Sequence, residues 1–272
     1  LPIIMSMVCT VGRWMIRTVA HKCEVVYGLK VVYGDTDSVM VKKKPEADTK
    51  TITTQEQWKR LFLFYTDICE RITKCFGAPH ELEFEAIKEE FCLFKKKMYM
   101  AIEYAAKPKR PIPDYVMKGL SFKKRDRCPH TRDSGLELAG LILNKKWSAI
   151  GPTIEKHIAE INAKEMNYDR FVITCEMGAE YNASSSYIQV QTAKKIEART
   201  GVKFTRGSRI AYVVIESKNK AFSEKGEDPE YAKNKCLRLD RVFYLEKQYL
   251  PPIMQILEFV NVPNLSSILS RG

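Results

Sequence analysis

The sequence has no apolar run long enough to cross a membrane. Its first uncharged stretch, Leu1 to Gly12, ends at Arg13, well short of the ~18 residues that a span needs. There is no CxxC pair among the eight cysteines, Cys9, Cys23, Cys69, Cys75, Cys92, Cys128, Cys175 and Cys236. A chain of 272 residues can bury a core without disulfide staples. The expectation is therefore reduced, mostly buried thiols, as in a protein of the cytosol or nucleus and not a secreted one. No GxxxxGK[ST] loop occurs, which removes the P-loop route to phosphate chemistry. Internal repeats are lacking. An initiator Met and a charged-then-apolar leader are lacking too, so the chain is expected to be an internal fragment of a larger protein. Cys128-Pro129-His130 is too isolated for a metal site, and His21, His80 and His157 have no evident partners.

What is present is an ordinary globular composition, 45% apolar and 29% charged, with an unusual distribution of charge. The formal net charge is +12. Between Lys95 and Arg127 lie eleven basic residues against three acidic ones, a net +8 within 33 residues. These clusters are interleaved with Tyr99, Tyr104, Tyr115 and Phe122. Basic clusters with aromatics between strand-like segments suit a folded groove for a polyanion, with nucleic acid as the leading partner. Binding through phosphates would be salt-sensitive and largely independent of sequence.

Few breakers interrupt Ile3 to Ala20, which is expected to be an apolar helix. Two β-rich stretches follow, Glu24 to Val26 and Lys30 to Val41, the second interrupted by the turn residues from Gly34 to Ser38. Thr53 with Glu56 forms a capping box for a helix through Trp58, Leu61, Phe62, Tyr65, Ile68 and Ile72, stopped by Gly77. Alternation at Glu81–Ile87 and apolar content at Phe91–Tyr104 predict a short meander, resumed at Val116–Ser121 after a loop punctuated by Pro108, Pro111 and Pro113. Near Cys128–Ser134 the character changes. Helices are expected at Ser134–Trp147, with Glu137 completing a capping box, at Thr153–Met166, at Tyr187–Arg199 and at Pro229–Asn234. A lone β-rich segment lies at Ile210–Ile215, and a last helix runs from Arg241 to Val260, bent at Pro251–Pro252. A domain boundary near residue 128 separates an α+β first part from a mainly helical second part.

The segment Val31-Val32-Tyr33-Gly34-Asp35-Thr36-Asp37-Ser38-Val39-Met40-Val41 carries the chemistry. Two Asp at i and i+2 of an extended chain point to the same side and can share hard cations. At a hairpin tip such a pair suits two-metal phosphoryl transfer. Asp and Gly are also ordinary turn formers; the full hexapeptide with its apolar flanks favours the metal reading.

Tyr33-Gly34-Asp35-Thr36-Asp37-Ser38 resembles motif C of the family B DNA-directed DNA polymerases. Lys97-Met98-Tyr99, within Leu93-Phe94-Lys95-Lys96-Lys97-Met98-Tyr99, resembles that family's KKRY or KxY element, with Met98 in place of the common Arg. Lys118-Gly119 with Arg125-Asp126 resembles its KG…RRD stretch, and Tyr244-Leu245-Glu246-Lys247-Gln248-Tyr249-Leu250-Pro251 its thumb motif. The resemblance implies an α+β fold: an antiparallel-sheet palm with flanking helices over 1–127, then a mainly helical thumb over 128–272. It implies Asp37 and Asp35 as catalytic, metal-holding carboxylates, Glu85 as an auxiliary metal carboxylate, and two Mg²⁺ ions as cofactors. Lys96, Lys97, Tyr99, Lys118, Lys123, Lys124 and Arg125 would contact DNA. Implied partners are primer–template DNA, a dNTP, the missing N-terminal and palm/fingers parts of the same polymerase, and a processivity factor, with no membrane. Nucleus or cytoplasm is the expected compartment, a host cell's for a viral protein. The family's DxxSLYPS and KxxxNSxYG patterns do not occur here, so the fragment alone is expected to be inactive. The alternatives are a non-catalytic nucleic-acid-binding module and another Mg²⁺-dependent phosphoryl-transfer enzyme.

Overall fold

The computed structural model describes residues 2–43, 55–106, 113–178, 187–217 and 221–258, together with 260, 262 and 265. The chain divides into two compact units, Leu1–Phe91 with Ala101–Val116, and Cys92–Met100 with Met117–Gly272.

The first unit opens with α1 (Pro2–Val25). This helix runs past the expected end at Ala20 and absorbs Glu24 and Val25, so the β-rich reading of Glu24–Val26 is corrected. The first chain-reversing residue is Gly28, at φ +63°, and the Val26 and Tyr27 amides close onto the Lys22 carbonyl at 3.0 and 3.3 Å. Cys23, one turn before, is buried, and that packing overrides the β preference of the two valines.

The predicted hairpin follows, β1 (Leu29–Asp35) antiparallel to β2 (Ser38–Lys43). Val31 pairs with Val41 and Tyr33 with Met40, leaving Val32 as an extra residue that bends the first strand. Helix α2 (Gln55–Thr73) carries the expected apolar stripe; the Thr53 half of its capping box lies outside the described residues. Val19, Cys23, Leu29, Ile68 and Ile72 form the core, with Tyr27, Val39, Val41, Tyr65, Phe76 and Leu82 packed against it. The hairpin is thus anchored by α1 and α2.

Residues 81–85 alternate in exposure but are not a strand. Strand β3 (Ala86–Lys95) begins just after them and forms a three-stranded sheet with β4 (Met98–Ala105) and β5 (Pro113–Lys118), in the order β3-β4-β5. These strands run through both units. Pro108 and Pro111 of the expected loop lie outside the described residues, and Pro113 opens β5.

In the second unit a 3₁₀ turn (Ser121–Lys123) buries Phe122. Helix α3 (Pro129–Leu143) starts five residues before the predicted Ser134, with Pro129 in its first turn. Pro is favoured there because its missing amide would have no partner. Ser134 is therefore not a cap; its hydroxyl is buried within the helix. Gly135 faces Phe122 so closely that a Cβ would overlap the ring. Helix α4 (Trp147–Asn162) begins six residues before the expected Thr153, because Ile150, Ile154, Ile158 and Ile161 form one buried stripe. Pro152 falls in its second turn, where it forfeits a single hydrogen bond.

After the short α5 (Tyr168–Phe171), β6 (Ile173–Glu176) pairs with β7 (Arg209–Val214), which also pairs with β8 (Gly226–Glu227). The segment at 210–215 is therefore not lone; it is the centre of a sheet. Helices α6 (Ile188–Thr200) and α7 (Pro229–Asn234) lie where expected.

The last predicted helix is broken into α8 (Arg241–Phe243), a π-helical stretch (Tyr244–Tyr249) and α9 (Leu250–Leu257). Pro251 has no amide to give Lys247 in α geometry, and the orphaned Lys247 carbonyl accepts instead from Arg127 Nη1 at 2.7 Å. All eight cysteines are thiols, but only Cys23 and Cys128 are buried, while Cys9, Cys75 and Cys236 are exposed. The expectation of mostly buried thiols is corrected accordingly.

Candidate functional site

The carboxylates sit at the tip of the β1–β2 hairpin. Asp35 ends β1 opposite Ser38, and Thr36-Asp37 is the two-residue turn between them. The strand-alternation argument for a shared side does not apply, because Asp37 lies in the turn and not in extended chain.

Thr36 has φ +41°, a region costly for a β-branched residue, by about 1–3 kcal/mol. It is held there by the flanking ladder, by Ser38 Oγ donating to the Asp35 carbonyl at 3.2 Å, and by Thr36 Oγ1 donating to Asp35 Oδ1 at 3.3 Å. Asp35 is half-buried and Asp37 exposed. The arrangement presents two hard oxygen donors on a rigid tip, a donor set that suits Mg²⁺.

Glu85 is exposed and ends the segment before β3, its carbonyl accepting from the Ala106 amide at 2.8 Å. Among the described residues no group of three His, Cys, Asp or Glu assembles that could hold a metal ion, so a complete coordination shell needs further ligands.

The basic residues belong to the second unit. Lys96 and Lys97 form the β3–β4 turn, with Lys97 at φ +63°. Gly119, at φ +69°, lies against that turn so tightly that a Cβ would overlap the Lys97 carbonyl oxygen. Lys118 Nζ stands 6.0 Å from the centroid of the Tyr99 ring, at the edge of cation–π range. The structure thus brings Lys97, Tyr99, Lys118 and Gly119 together. Tyr99 is only 5% exposed, a buried support beneath Lys118, while Lys96, Lys97 and Lys118 are exposed. Lys123, Lys124 and Arg125 are also exposed, on the segment that Phe122 anchors.

Two functional-looking features escaped the sequence. In the thumb-like motif two polar groups tie elements of the second unit together. Tyr244 Oη accepts from the Val214 amide at 2.9 Å, and Gln248 Oε1 accepts from the Cys128 amide at 3.4 Å.

His157 is not without partners. Nε2 meets Glu137 Oε2 at 2.9 Å and Nδ1 meets Tyr249 Oη at 3.2 Å. His130 stacks on Phe171 at 5.0 Å. Its Nε2 lies 3.2 Å from Glu160 Oε2. Burial, reinforced by Arg170, pushes His130 down to about 4. Burial lowers His157 against the opposing pull of Glu137.

His130 is therefore neutral when folded at pH 7, whereas in the unfolded chain it takes up a proton near pH 6.5. Its contribution is fully present above that value and is lost as pH falls toward 4, and the lowered His157 adds in the same direction. Acidification from pH 7 to 4.5 should destabilise the second unit by roughly 2–3 kcal/mol. Thermal unfolding followed against pH checks this, and a flat profile across that window would refute it.

No described helix is long and apolar enough to cross a membrane. The model of the family "DNA polymerase family B" matches residues 4–260. The DNA polymerase of Paramecium bursaria Chlorella virus NY2A is 34% identical over 264 residues, covering 94% of this chain and 28% of that protein. The DNA polymerase delta catalytic subunit of Caenorhabditis elegans is 29% identical over 250 residues, covering 89% and 22%. The structure of the family B DNA polymerase from Pyrobaculum calidifontis superposes with a TM-score of 0.61 at 20% identity, over 94% of this chain and 30% of that one. At that identity the superposition speaks for the α+β fold. This chain spans about a quarter of the length of the relatives it matches. Over nearly all of its own length, from the carboxylate hairpin to the Pro-broken helix, the chain belongs to DNA polymerase family B.

Proposed function

We propose that the chain supplies one half of the active site and the duplex grip of a template-directed DNA polymerase. The observation that carries this reading is the strained two-carboxylate tip, Asp35 and Asp37, in a chain of this family. Asp37, the exposed member, and Asp35, braced by Thr36, would hold the catalytic ions, with Glu85 as an auxiliary carboxylate. When bound, Mg²⁺ supplies charge stabilisation to the attacking and leaving oxygens. The chain's own work is to hold those carboxylates still and to seat the primer end. In the assembled enzyme the primer 3′-hydroxyl gives up its proton to solvent as its oxygen bonds to the dNTP α-phosphorus, the bond from that phosphorus to the oxygen bridging to the β-phosphate breaks, and pyrophosphate leaves.

Residues 1–127 would be the distal palm and 128–272 the thumb. Lys96, Lys97, Lys118, Lys123, Lys124 and Arg125 hold the phosphate backbone, and Tyr99 acts through Lys118. Partners are primer–template DNA, dNTP, the polymerase segments with the DxxSLYPS and KxxxNSxYG patterns, and a processivity factor. The place of action is the nucleus or cytoplasm, a host cell's for a viral protein. The second reading is a non-catalytic DNA-binding module, which shares the exposed basic residues and lacks only the chemistry.

Filter binding of a primer–template across a salt series tests the grip. The slope of log affinity against log salt should fall by about 2 in the Lys123→Ala/Lys124→Ala double variant, one counterion per lysine. Both side chains are exposed, so the unfolding midpoint should stay unchanged. An unaltered slope would remove these residues from the interface. The chain alone, lacking two of the motifs, should give no Mg²⁺-dependent primer extension; robust extension would refute its being half of a site.

A further inference from the structure

The basic segment Lys123-Lys124-Arg125 is held from a distance by the last helix. The 3₁₀ turn that opens it, Ser121–Lys123, starts from Leu120, which offers no side-chain cap, so the Ser121 amide would be an orphan. Gln255 in α9, 134 residues further on, supplies the acceptor. Its Oε1 accepts from the Ser121 amide at 3.1 Å and from Ser121 Oγ at 2.7 Å. The far end of the segment is tied in the same way. Arg127 Nη1 donates to the Lys247 carbonyl at 2.7 Å, and the Cys128 amide, ahead of an α3 that also lacks a side-chain cap, donates to Gln248 Oε1 at 3.4 Å. Gln248 and Gln255 are seven residues apart, about two helical turns, so one face of the helix reaches both ends of the segment. Phe122, buried against Gly135, pins its first part. Between these ties Lys123, Lys124 and Arg125 are exposed, and none makes an ion pair or side-chain hydrogen bond among the described residues. Three unneutralised cations thus stand on a braced backbone.

We propose that Gln255 is a positioning residue for the DNA grip: it holds the Lys123–Arg125 backbone in its bound shape before the duplex arrives. This rests on the polymerase reading above and deepens it. Gln255 differs from the other ties in three ways. It accepts two hydrogen bonds where Gln248 accepts one long one. It is half-buried, so water competes less for the Ser121 donors. It is also neutral, adding no charge for phosphates to feel, so its effect on DNA passes through the segment. A segment held ready loses less freedom on binding than one that must first be ordered. The phosphate contacts themselves remain those of the two lysines and the arginine.

The test is a double-mutant cycle in primer–template affinity, read by filter binding across a salt series on the 272-residue chain. Gln255→Met keeps the length of the side chain and removes both hydrogen bonds. It should weaken affinity about tenfold at every salt concentration. The slope of log affinity against log salt should stay unaltered, because no phosphate contact is lost. In a chain that already carries Lys123→Ala, Lys124→Ala and Arg125→Ala, the same substitution should change affinity by less than about twofold. Amide exchange at residues 121–124 should quicken in both backgrounds. Ser121→Ala, which keeps the amide donor, should act in the same direction with a smaller loss, and it carries the same cycle if Gln255→Met unfolds the chain. Parent-like affinity in Gln255→Met, or an equal loss in both backgrounds, overturns the proposal, since the residue then has no effect or acts elsewhere. A slope that falls with Gln255→Met overturns it too, for that marks a contact and not its positioning. Parent-like binding by the triple alanine variant defeats the duplex-grip reading. Weakened binding by that variant beside parent-like binding by Gln255→Met defeats the positioning proposal alone.

Discussion

Replacing Asp37 by Asn in the assembled polymerase is expected to lower turnover on the order of 10³-fold or more, about 4 kcal/mol of transition-state stabilisation. Affinity for primer–template should change little. The size of the effect follows from what is removed. Asn keeps the shape and one oxygen of the carboxylate but not its charge, and a hard divalent ion depends on that charge. The restraint on side effects follows from place. Asp37 is exposed at the turn between β1 and β2, and the Val19, Cys23, Leu29, Ile68, Ile72 core lies elsewhere in the unit. Exposed substitutions of this kind stay within about 0.5 kcal/mol. Single-turnover incorporation together with filter binding checks both halves, and near-normal incorporation by the variant would strike Asp37 from the site.

The second large effect is expected at Gly119, by a different mechanism. Any side chain there is strained by the left-handed backbone at φ +69° and overlaps the carbonyl oxygen of Lys97. The conformational cost is about 1–2 kcal/mol, and forcing an atom against backbone adds a further ~1–3 kcal/mol. Gly119→Ala should therefore destabilise the second unit by about 3 kcal/mol or more. It should also weaken DNA binding, since the Lys97 turn and the Lys118–Tyr99 pair are positioned through that contact. Denaturant unfolding monitored in the second unit measures the first consequence. A variant as stable as the parent would mean that the close approach does not hold in solution.

The chemistry was more legible in the chain than its support. Asp35-Thr36-Asp37 between β-branched runs announces a hairpin because turn residues and period-two strands are local signals. The extra residue at Val32 is invisible at that level: alternation shows which residues form strands, not which one loses its partner. The strain at Thr36 is equally hidden, since Thr is not a residue chosen for positive φ.

The start of α3 was legible in principle, from Pro129 in the first turn. It was missed because Ser134 and Glu137 imitate a capping box. His157 looked solitary because Glu137 is 20 residues away and Tyr249 is 92 away, and only the packed fold brings them together. The same holds for Gly119 and Lys97, and for Gln248, whose place in a thumb-like motif concealed that its amide oxygen serves the Cys128 backbone.

Asp35 and Asp37 are proposed to form one half of a divided polymerase active site. Single-nucleotide incorporation by this chain assembled with the remainder of the Chlorella virus NY2A polymerase, with Mg²⁺ titrated from zero, decides whether they do. Incorporation is expected only when both pieces and the ion are present, and is expected to be lost with Asp37→Asn. Incorporation by either piece alone, or by an assembly that tolerates the Asn substitution, would contradict it.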